Sequence, residues 1–144
     1  MRKNFGFTLI ELLIVITIIG ILSAIAIPNY QKYTRKAYYV EIVQAAQTLK
    51  LAVEECYQLN GELTNCHSGG DTSIPAKPKN ELASKLIKDA TVTNSGVITI
   101  TPNEVHGFTN NDTYILTPLI RNQQLVWQTS GGAVEAGYTL KTTA

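Results

Sequence analysis

The hydrophobic residues of this chain are concentrated near its beginning, in one uninterrupted segment. Residues 7–27 read FTLIELLIVITIIGILSAIAI, and Glu11 is the single ionisable side chain among them. These 21 residues would form a helix about 31 Å long, which matches the hydrocarbon core of a bilayer. Because the short basic stretch MRKN precedes them, the pattern predicts a helix that can insert into a membrane.

The apolar pattern changes after Pro28 and becomes that of an amphipathic helix. Apolar side chains recur mostly at intervals of three and four residues, at Ile42, Ala45, Leu49, Ala52, Val53, Cys56 and Leu59. The pair Asn60-Gly61 is a typical helix end. Pro28 lacks a backbone donor and crowds the preceding turn, so it predicts a kink. Gly20 is a weak helix former, and we expect residues 20–28 to be the most deformable part of the helix.

The rest of the chain predicts a small sheet. Residues 60–79 have the composition of a loop, and residues 80–90, NELASKLIKDA, have the spacing of a short amphipathic helix. Strands are predicted from β-forming residues at 97–101, 113–120 and 125–129, with a weaker candidate at 138–142. Short connections between sequential strands favour an antiparallel meander. We therefore expect an α+β fold, in which the amphipathic half of a long N-terminal helix packs on three or four antiparallel strands. Trp127 is expected in the core.

Composition and charge bound the function only loosely. The 144 residues carry a formal net charge of +1, which suggests one domain beyond the apolar segment and argues against a strong polyanion binder. A small basic cluster is either a solvated surface or a weak electrostatic contact for a polyanion, and it consists of Lys77, Lys79, Lys85 and Lys88. Glu54 and Glu55 are expected on a solvated helix face, and His106 is expected to be solvated or structural.

Glu11 needs an explanation, because a carboxylate inside a membrane helix costs free energy unless something compensates for it. A local explanation is the capping box, with Thr8 as the N-cap and Glu11 three residues later. Cleavage after Ala26, as in a secretory signal peptide, or retention as a signal anchor would leave Glu11 unexplained. Cleavage after Gly6 would instead create a cationic amine on Phe7, which could pair with Glu11 of the same chain or of a neighbouring copy.

The segment GFTLIELLIVITIIGILSAIAIPNY, with the basic leader before it, resembles the class III signal and N-terminal helix of type IV pilins. The residues that carry the resemblance are Gly6, Phe7, Thr8, Glu11, Gly20 and Pro28. The resemblance implies a leader at residues 1–6, a membrane and assembly helix at 7–29 and a globular pilin domain at 30–144. Together these parts make the lollipop fold of that family.

The same resemblance implies a function and a set of partners. A prepilin peptidase would cut between Gly6 and Phe7 and N-methylate Phe7, and Glu11 would recruit the Phe7 amine of an adjacent subunit. The precursor would sit in the inner membrane of a Gram-negative bacterium and then polymerise with copies of itself into an extracellular pilus. An assembly platform, an ATPase and a secretin are implied as further partners. Such filaments serve twitching motility, adhesion and DNA uptake, and residues 20–28 would help them to stretch.

The two cysteines, Cys56 and Cys66, are either free thiols or one disulfide, depending on the compartment. In an exported domain a bridge is expected, and closing so short a loop stabilises a fold by roughly 2–3 kcal/mol. Many type IV pilins instead close a C-terminal loop with a disulfide, whereas residues 131–144 contain no cysteine. With His67 the two cysteines make only a weak zinc pattern. No metal, cofactor or catalytic residue is predicted, and an enzyme is not expected.

Three alternatives stay open at this point. A pseudopilin of a type II secretion system shares the leader and the helix, but its calcium-binding C-terminal loop has little counterpart here, where Glu135 is the one acid after Thr129. A minor pilin at the filament tip is compatible with the same features. A protein of a different class, a membrane-anchored monomeric binding protein or a secreted one cut after Ala26, would not form fibres.

Overall fold

The computed structural model describes residues 6–68, 74 and 85–143. Within them one long helix, α1, runs over Leu9–Asn60, and a helix of one turn, α2, covers Gly132–Glu135. The strands are β1 at Ile87–Val92, β2 at Ile98–Pro102, β3 at Tyr114–Arg121 and β4 at Gln124–Ser130. A long N-terminal helix followed by a four-stranded antiparallel sheet confirms the α+β fold expected from the sequence.

Two compact units make up the chain, Met1–Thr34 and Arg35–Ala144. In the first unit α1 remains helical through Pro28. The side-chain amide of Asn29 donates to the backbone carbonyl of Ile25 over 3.1 Å. The carbonyl that Pro28 leaves without a helical donor is that of Ala24, one residue earlier, so the Asn29 bond adds to the helix here and does not replace the missing one.

Each strand pairs with the next one along the chain, so the sheet is the predicted antiparallel meander in the order β1-β2-β3-β4. β3 and β4 pair from Ile115 opposite Ser130 to Arg121 opposite Gln124, whereas β2 meets β3 at three residue pairs. Pro118 lies in β3 beyond these three pairs and faces a partner in β4. Proline has no backbone N–H, and a strand tolerates it where that side of the strand has no neighbouring strand to pair with.

The core of the second unit lies between one face of α1 and one face of the sheet. The buried residues of α1 follow the predicted helical spacing, and they are Tyr39, Ile42, Ala45, Ala46, Leu49, Val53 and Cys56. Strand β2 and the first half of β3 alternate between buried and half-buried positions, as expected for a sheet with one covered face. Trp127 is 8% exposed, which confirms its predicted place in the core.

An aromatic cluster fills the core around Tyr39. The ring centre of Tyr39 lies 5.3 Å from that of Tyr138, 5.4 Å from that of Phe108 and 6.5 Å from that of Tyr114. The Tyr39 hydroxyl donates to the backbone carbonyl of Asp112 over 2.7 Å. Burial raises the pKa of Tyr39 far above the ordinary value of a tyrosine, so the hydroxyl keeps its proton and remains a donor.

The predicted helix at 80–90 is confirmed at Lys85 and Leu86, which are helical, and is wrong in its last four residues, which begin strand β1 at Ile87. The part at 80–84 lies outside the described residues. A bulge between Ile87 and Asp89 places two exposed residues in succession, so the buried residues Ile87 and Ala90 stand three positions apart. This spacing imitates that of a helix, which is why periodicity favours the wrong element here.

The weaker strand candidate at 138–142 is also wrong. Among the residues that the structure describes, one backbone hydrogen bond, from the Thr129 N–H of β4 to the Thr142 carbonyl, joins the tail to the sheet, and Tyr138 belongs to the aromatic cluster instead. A single bond is too little to hold a strand in register. The predicted loop at 60–79 is irregular where the structure describes it, after the end of α1 and up to residue 68.

Candidate functional site

The first turn of α1 holds reciprocal hydrogen bonds between Thr8 and Glu11. The backbone N–H and the hydroxyl of Thr8 donate to Glu11 Oε2 over 2.8 and 2.7 Å, and the backbone N–H of Glu11 donates to Thr8 Oγ1 over 3.3 Å. This arrangement is the capping box, and it confirms the local explanation of Glu11. Both contacts to the carboxylate use Oε2, so Oε1 keeps the capacity to accept a further hydrogen bond.

Almost every side chain of the apolar segment is exposed in the single chain. Of residues 7–27 all but Ser23 are exposed, and Phe7 and Leu9 are each 82% exposed. An 18-residue window has a mean hydropathy of 2.8 with no residue buried, so by length and composition the helix can cross a membrane. An apolar surface of this extent marks a site that lipid or other protein covers.

Gly20 lies within this apolar surface. Among the described residues outside its own helix backbone, no atom lies within 4 Å of the position that a β-carbon would take. The packing of the chain on itself therefore does not require a glycine here. The absence of a side chain has a structural reason only if something outside the chain approaches this point.

Cys56 and Cys66 form a disulfide, with their Cα atoms 5.7 Å apart. Both residues are buried, and the bond ties the turn after α1 to the last part of that helix. Asn60 Nδ2 donates to Cys56 Sγ over 3.3 Å. Because both sulfurs are in the disulfide, neither is a thiolate that could bind zinc. Within the described part of the chain, no group of three possible metal ligands occurs.

The basic cluster can be examined in part. Lys77 and Lys79 lie outside the described residues, whereas Lys85 and Lys88 are exposed near the start of β1. Lys88 Nζ donates to Asn110 Oδ1 over 3.1 Å, so this ammonium group is engaged with the loop between β2 and β3.

Two side-chain contacts in the structure were not predicted from the sequence, one made by Glu54 and one made by His106. Glu54 does not simply face solvent, since Trp127 Nε1 donates to its Oε1 over 2.7 Å and Lys50 Nζ lies 3.8 Å from the same oxygen. His106 stacks on Tyr38 with 3.9 Å between the ring centres. A buried tryptophan needs an acceptor for its N–H, and this requirement was the signal that could have pointed to a partner for Trp127.

Comparisons with known proteins agree with this architecture. Residues 1–27 match the family described as "Prokaryotic N-terminal methylation motif", and residues 36–142 match the family described as "Pilin (bacterial filament)". The "Type IV pilus subunit protein TapA" of Aeromonas hydrophila is 38% identical over 127 residues, covering 88% of this chain and 89% of that protein. The "Type IV major pilin protein PilE1" of Neisseria gonorrhoeae is 42% identical over 98 residues, covering 68% and 52%. The "Prepilin peptidase-dependent protein D" of Escherichia coli K12 is 50% identical over 76 residues, covering 53% and 51%.

The match with the Aeromonas protein extends over most of both chains, whereas this chain spans about half the length of the other two relatives. Three observations define the class of protein: an exposed apolar helix segment, an antiparallel sheet and a family match over residues 36–142. The chain belongs to the pilin family of bacterial filament subunits. It is a type IV pilin, a structural subunit of a pilus rather than an enzyme.

Proposed function

We propose that this chain matures by loss of a leader, residues 1–6, and then polymerises through its apolar helix. A prepilin peptidase would cut between Gly6 and Phe7 and N-methylate the new amine of Phe7. The processed chain then consists of an assembly helix at 7–29 and a globular domain at 30–144. The match of residues 1–27 to an N-terminal methylation motif supports this order of events.

The apolar helix would lie in the inner membrane before assembly and pack against the apolar helices of other subunits in the filament afterwards. The observation that carries this proposal is the 18-residue apolar window with no buried residue, because such a surface is unfavourable in water and favourable against lipid or other apolar helices. We place the filament on the surface of a Gram-negative bacterium. A prepilin peptidase, an assembly platform, an ATPase and a secretin are the partners that its assembly needs.

Glu11 sets the position of each incoming subunit in this proposal. Its Oε2 accepts both bonds from Thr8, and its Oε1 would accept the amine of Phe7 from an adjacent copy. Where water is excluded, opposite charges attract far more strongly than at an exposed surface, and each offsets part of the cost of burying the other. Because Thr8 already restrains the carboxylate, less conformational entropy is lost when the amine binds.

Residues 20–28 would make the filament extensible. Gly20 costs about 1 kcal/mol relative to alanine in a helix, and Pro28 removes one backbone hydrogen bond. A subunit under load would therefore unwind here before it unwinds elsewhere. Gly20 also lets a neighbouring helix approach closely, since the space beside it is free in the single chain.

Twitching motility, adhesion and DNA uptake are the roles that we assign to the filament. The candidate contacts for DNA or a host surface are Lys77, Lys79, Lys85 and Lys88. Contacts between lysine and phosphate weaken with added salt because counterions are released on binding. Retention of filaments on duplex DNA at low and at high salt, with Lys85→Gln as the variant, measures this contact.

The pairing of Glu11 is tested by separating its charge from its capping role. Glu11→Gln keeps a side chain that completes a capping box and removes the negative charge, whereas Thr8→Ala removes the cap and keeps the charge. We expect Glu11→Gln to lower the yield of sheared filaments at least about tenfold, which corresponds to about 1.4 kcal/mol. Thr8→Ala should lower it less. Filaments are collected by sedimentation without detergent.

Intact mass and N-terminal sequencing of the chain from its native host provide the control. A chain that begins at methylated Phe7 in wild type and variants shows that processing is intact, so that a difference in yield reports on assembly. A normal yield of filaments from Glu11→Gln would refute the pairing. A wild-type chain that begins near Ile27 would refute the whole proposal.

A further inference from the structure

A small pocket opens between the last turns of α1 and the turn that joins β3 to β4. Its volume is about 230 Å³, and it is lined by Glu54, Tyr57, Gln58, Gln123, Gln124 and Leu125. Pockets for drug-sized ligands measure roughly 300–1,000 Å³. This one therefore has room for a single ring of a small molecule.

The lining of the pocket suits a neutral ligand with several hydroxyl groups. Three of the six side chains are primary amides, Gln58, Gln123 and Gln124. Each amide offers two donors and an acceptor oxygen close together, and a hydroxyl group both donates and accepts. Tyr57 adds a phenol hydroxyl, and Leu125 adds apolar surface. Adjacent hydroxyls on a saturated ring match this combination.

Glu54 is the one acidic side chain of the pocket, and its surroundings hold it in place. Trp127 Nε1 donates to Glu54 Oε1 over 2.7 Å, and Lys50 Nζ lies 3.8 Å from that oxygen and 5.8 Å from the centre of the Trp127 ring. The charge of Lys50 offsets that of Glu54, so a cationic ligand is not needed to balance it. Both contacts use Oε1, and Oε2 keeps the capacity to accept bonds from ligand hydroxyls.

The turn between β3 and β4 holds two residues in a backbone conformation that is unfavourable for residues other than glycine. Arg121 pairs with Gln124, so the turn itself consists of Asn122, with φ 49°, and Gln123, with φ 62°. Both residues are in the left-handed region, which asparagine tolerates and for which glycine is preferred at the second position. Gln123 keeps this strained backbone, and its side chain lines the pocket. A two-residue hairpin turn requires this backbone conformation at both positions, so the choice of glutamine over glycine at 123, and not the strain itself, suggests a use for the side chain.

We propose that this pocket binds the terminal sugar ring of a neutral glycan, with Gln123, Gln124 and Glu54 exchanging hydrogen bonds with its hydroxyls. The proposal assigns a ligand class to the adhesion role proposed above and rests on that role for its biological use. One shallow pocket binds a single ring weakly, in the millimolar range. A filament repeats the pocket many times, and repeated weak contacts to a glycan-coated surface combine into strong attachment.

Trp127 provides a built-in probe for this site, because it is the single tryptophan of the chain and its N–H contacts the pocket carboxylate. The full chain, purified in a detergent that has no sugar headgroup, is titrated with glucose, galactose, mannose, N-acetylglucosamine and N-acetylgalactosamine. Tryptophan fluorescence and saturation-transfer NMR are recorded on the same samples. We expect at least one of the five sugars to change the fluorescence with a millimolar dissociation constant and to receive saturation from the protein.

Gln123→Gly and Asn122→Gly form a matched pair of variants. Each places glycine in the same strained turn, but only the first removes a side chain that lines the pocket. Gln123→Gly should bind the best sugar at least tenfold more weakly and should melt a few degrees higher, because glycine relieves the left-handed strain. Asn122→Gly should bind like wild type.

Sugar binding is measured on unassembled chain, so its outcome is independent of whether filaments form. Lost binding by Gln123→Gly with a normal filament yield supports the pocket. No saturation transfer from any of the five sugars, or unchanged binding by Gln123→Gly, would overturn the proposal. Absence of filaments in wild type would count against the proposed function and not against the pocket.

Discussion

Tyr39 holds a buried hydrogen bond whose contribution to stability can be measured in isolation. The side chain is fully buried, its ring packs against Phe108 and Tyr138, and its hydroxyl donates to the Asp112 carbonyl over 2.7 Å. Tyr39→Phe keeps the ring and removes only the donor. The carbonyl of Asp112 then loses this partner in a place where water does not easily replace it.

We expect Tyr39→Phe to lower the free energy of unfolding by about 1–2 kcal/mol at neutral pH, the usual cost of removing one partner of a buried hydrogen bond. The larger penalty of about 3–5 kcal/mol that accompanies loss of a whole aromatic ring does not apply, because the ring stays in place. The melting temperature should accordingly fall by several degrees.

The difference between Tyr39→Phe and wild type should shrink at high pH. Burial is the main cause that raises the pKa of Tyr39 in the folded chain, whereas an unfolded tyrosine titrates near pH 10. Below about pH 10 the residue is neutral in both states, and its contribution is fully present. Above about pH 10 the unfolded chain loses the proton first, so wild type loses up to about 1.4 kcal/mol per pH unit. Phenylalanine does not titrate, and the two proteins should become equally stable about one pH unit higher.

Thermal unfolding of the full chain in detergent micelles, followed by near-ultraviolet circular dichroism between about pH 7 and pH 11, measures both effects. Tyr33→Phe is the matched control, because Tyr33 is 79% exposed and surface changes usually stay within about 0.5 kcal/mol. Equal stability of Tyr39→Phe and wild type at neutral pH would refute the hydrogen-bond argument. A gap that stays constant up to about pH 11 would refute the argument from burial.

Two further changes test Gly132, the first residue of α2, and the disulfide. Gly132→Ala should destabilise the fold by about 3 kcal/mol, the upper end of the usual cost of overpacking, because a β-carbon would overlap the backbone carbonyl of Asn111. Gly137→Ala meets no neighbouring atom but keeps a left-handed φ of 73°, so it should cost only about 1–2 kcal/mol. Reduction of Cys56–Cys66 should cost about 2–3 kcal/mol, and a melting temperature unchanged by reductant would contradict this estimate.

Most of α1 could be predicted because its determinants lie close together along the chain. The capping box joins Thr8 and Glu11, which are three residues apart, and the buried positions of the packed half repeat with the period of a helix. The Asn60-Gly61 pair also marks the observed end at Asn60. The part of the candidate site that consists of the capping box and the apolar segment 7–27 could be recognised from the sequence for the same reason.

The sheet could be predicted only where alternation is regular. Strands β2, β3 and β4 lie within one residue of the predicted spans, because side chains on one covered face alternate with a period of two. β1 was missed because the bulge after Ile87 changes that period to three. A bulge forms in response to the partner strand, so residues 80–90 alone do not contain the information that would distinguish it from a helical turn.

Interactions between near neighbours along the chain were sufficient to identify the membrane-compatible helix, its cap and the family of this pilin. The rest depends on contacts that exist only after folding. Trp127 donates to Glu54, and Tyr39 donates to Asp112, in each case across 73 positions of sequence. No local spacing encodes which residues meet at such a separation, because the meeting point is set by how the sheet packs on α1. The pocket beside Glu54 arises from the same packing, and for that reason it was found in the structure and not in the sequence.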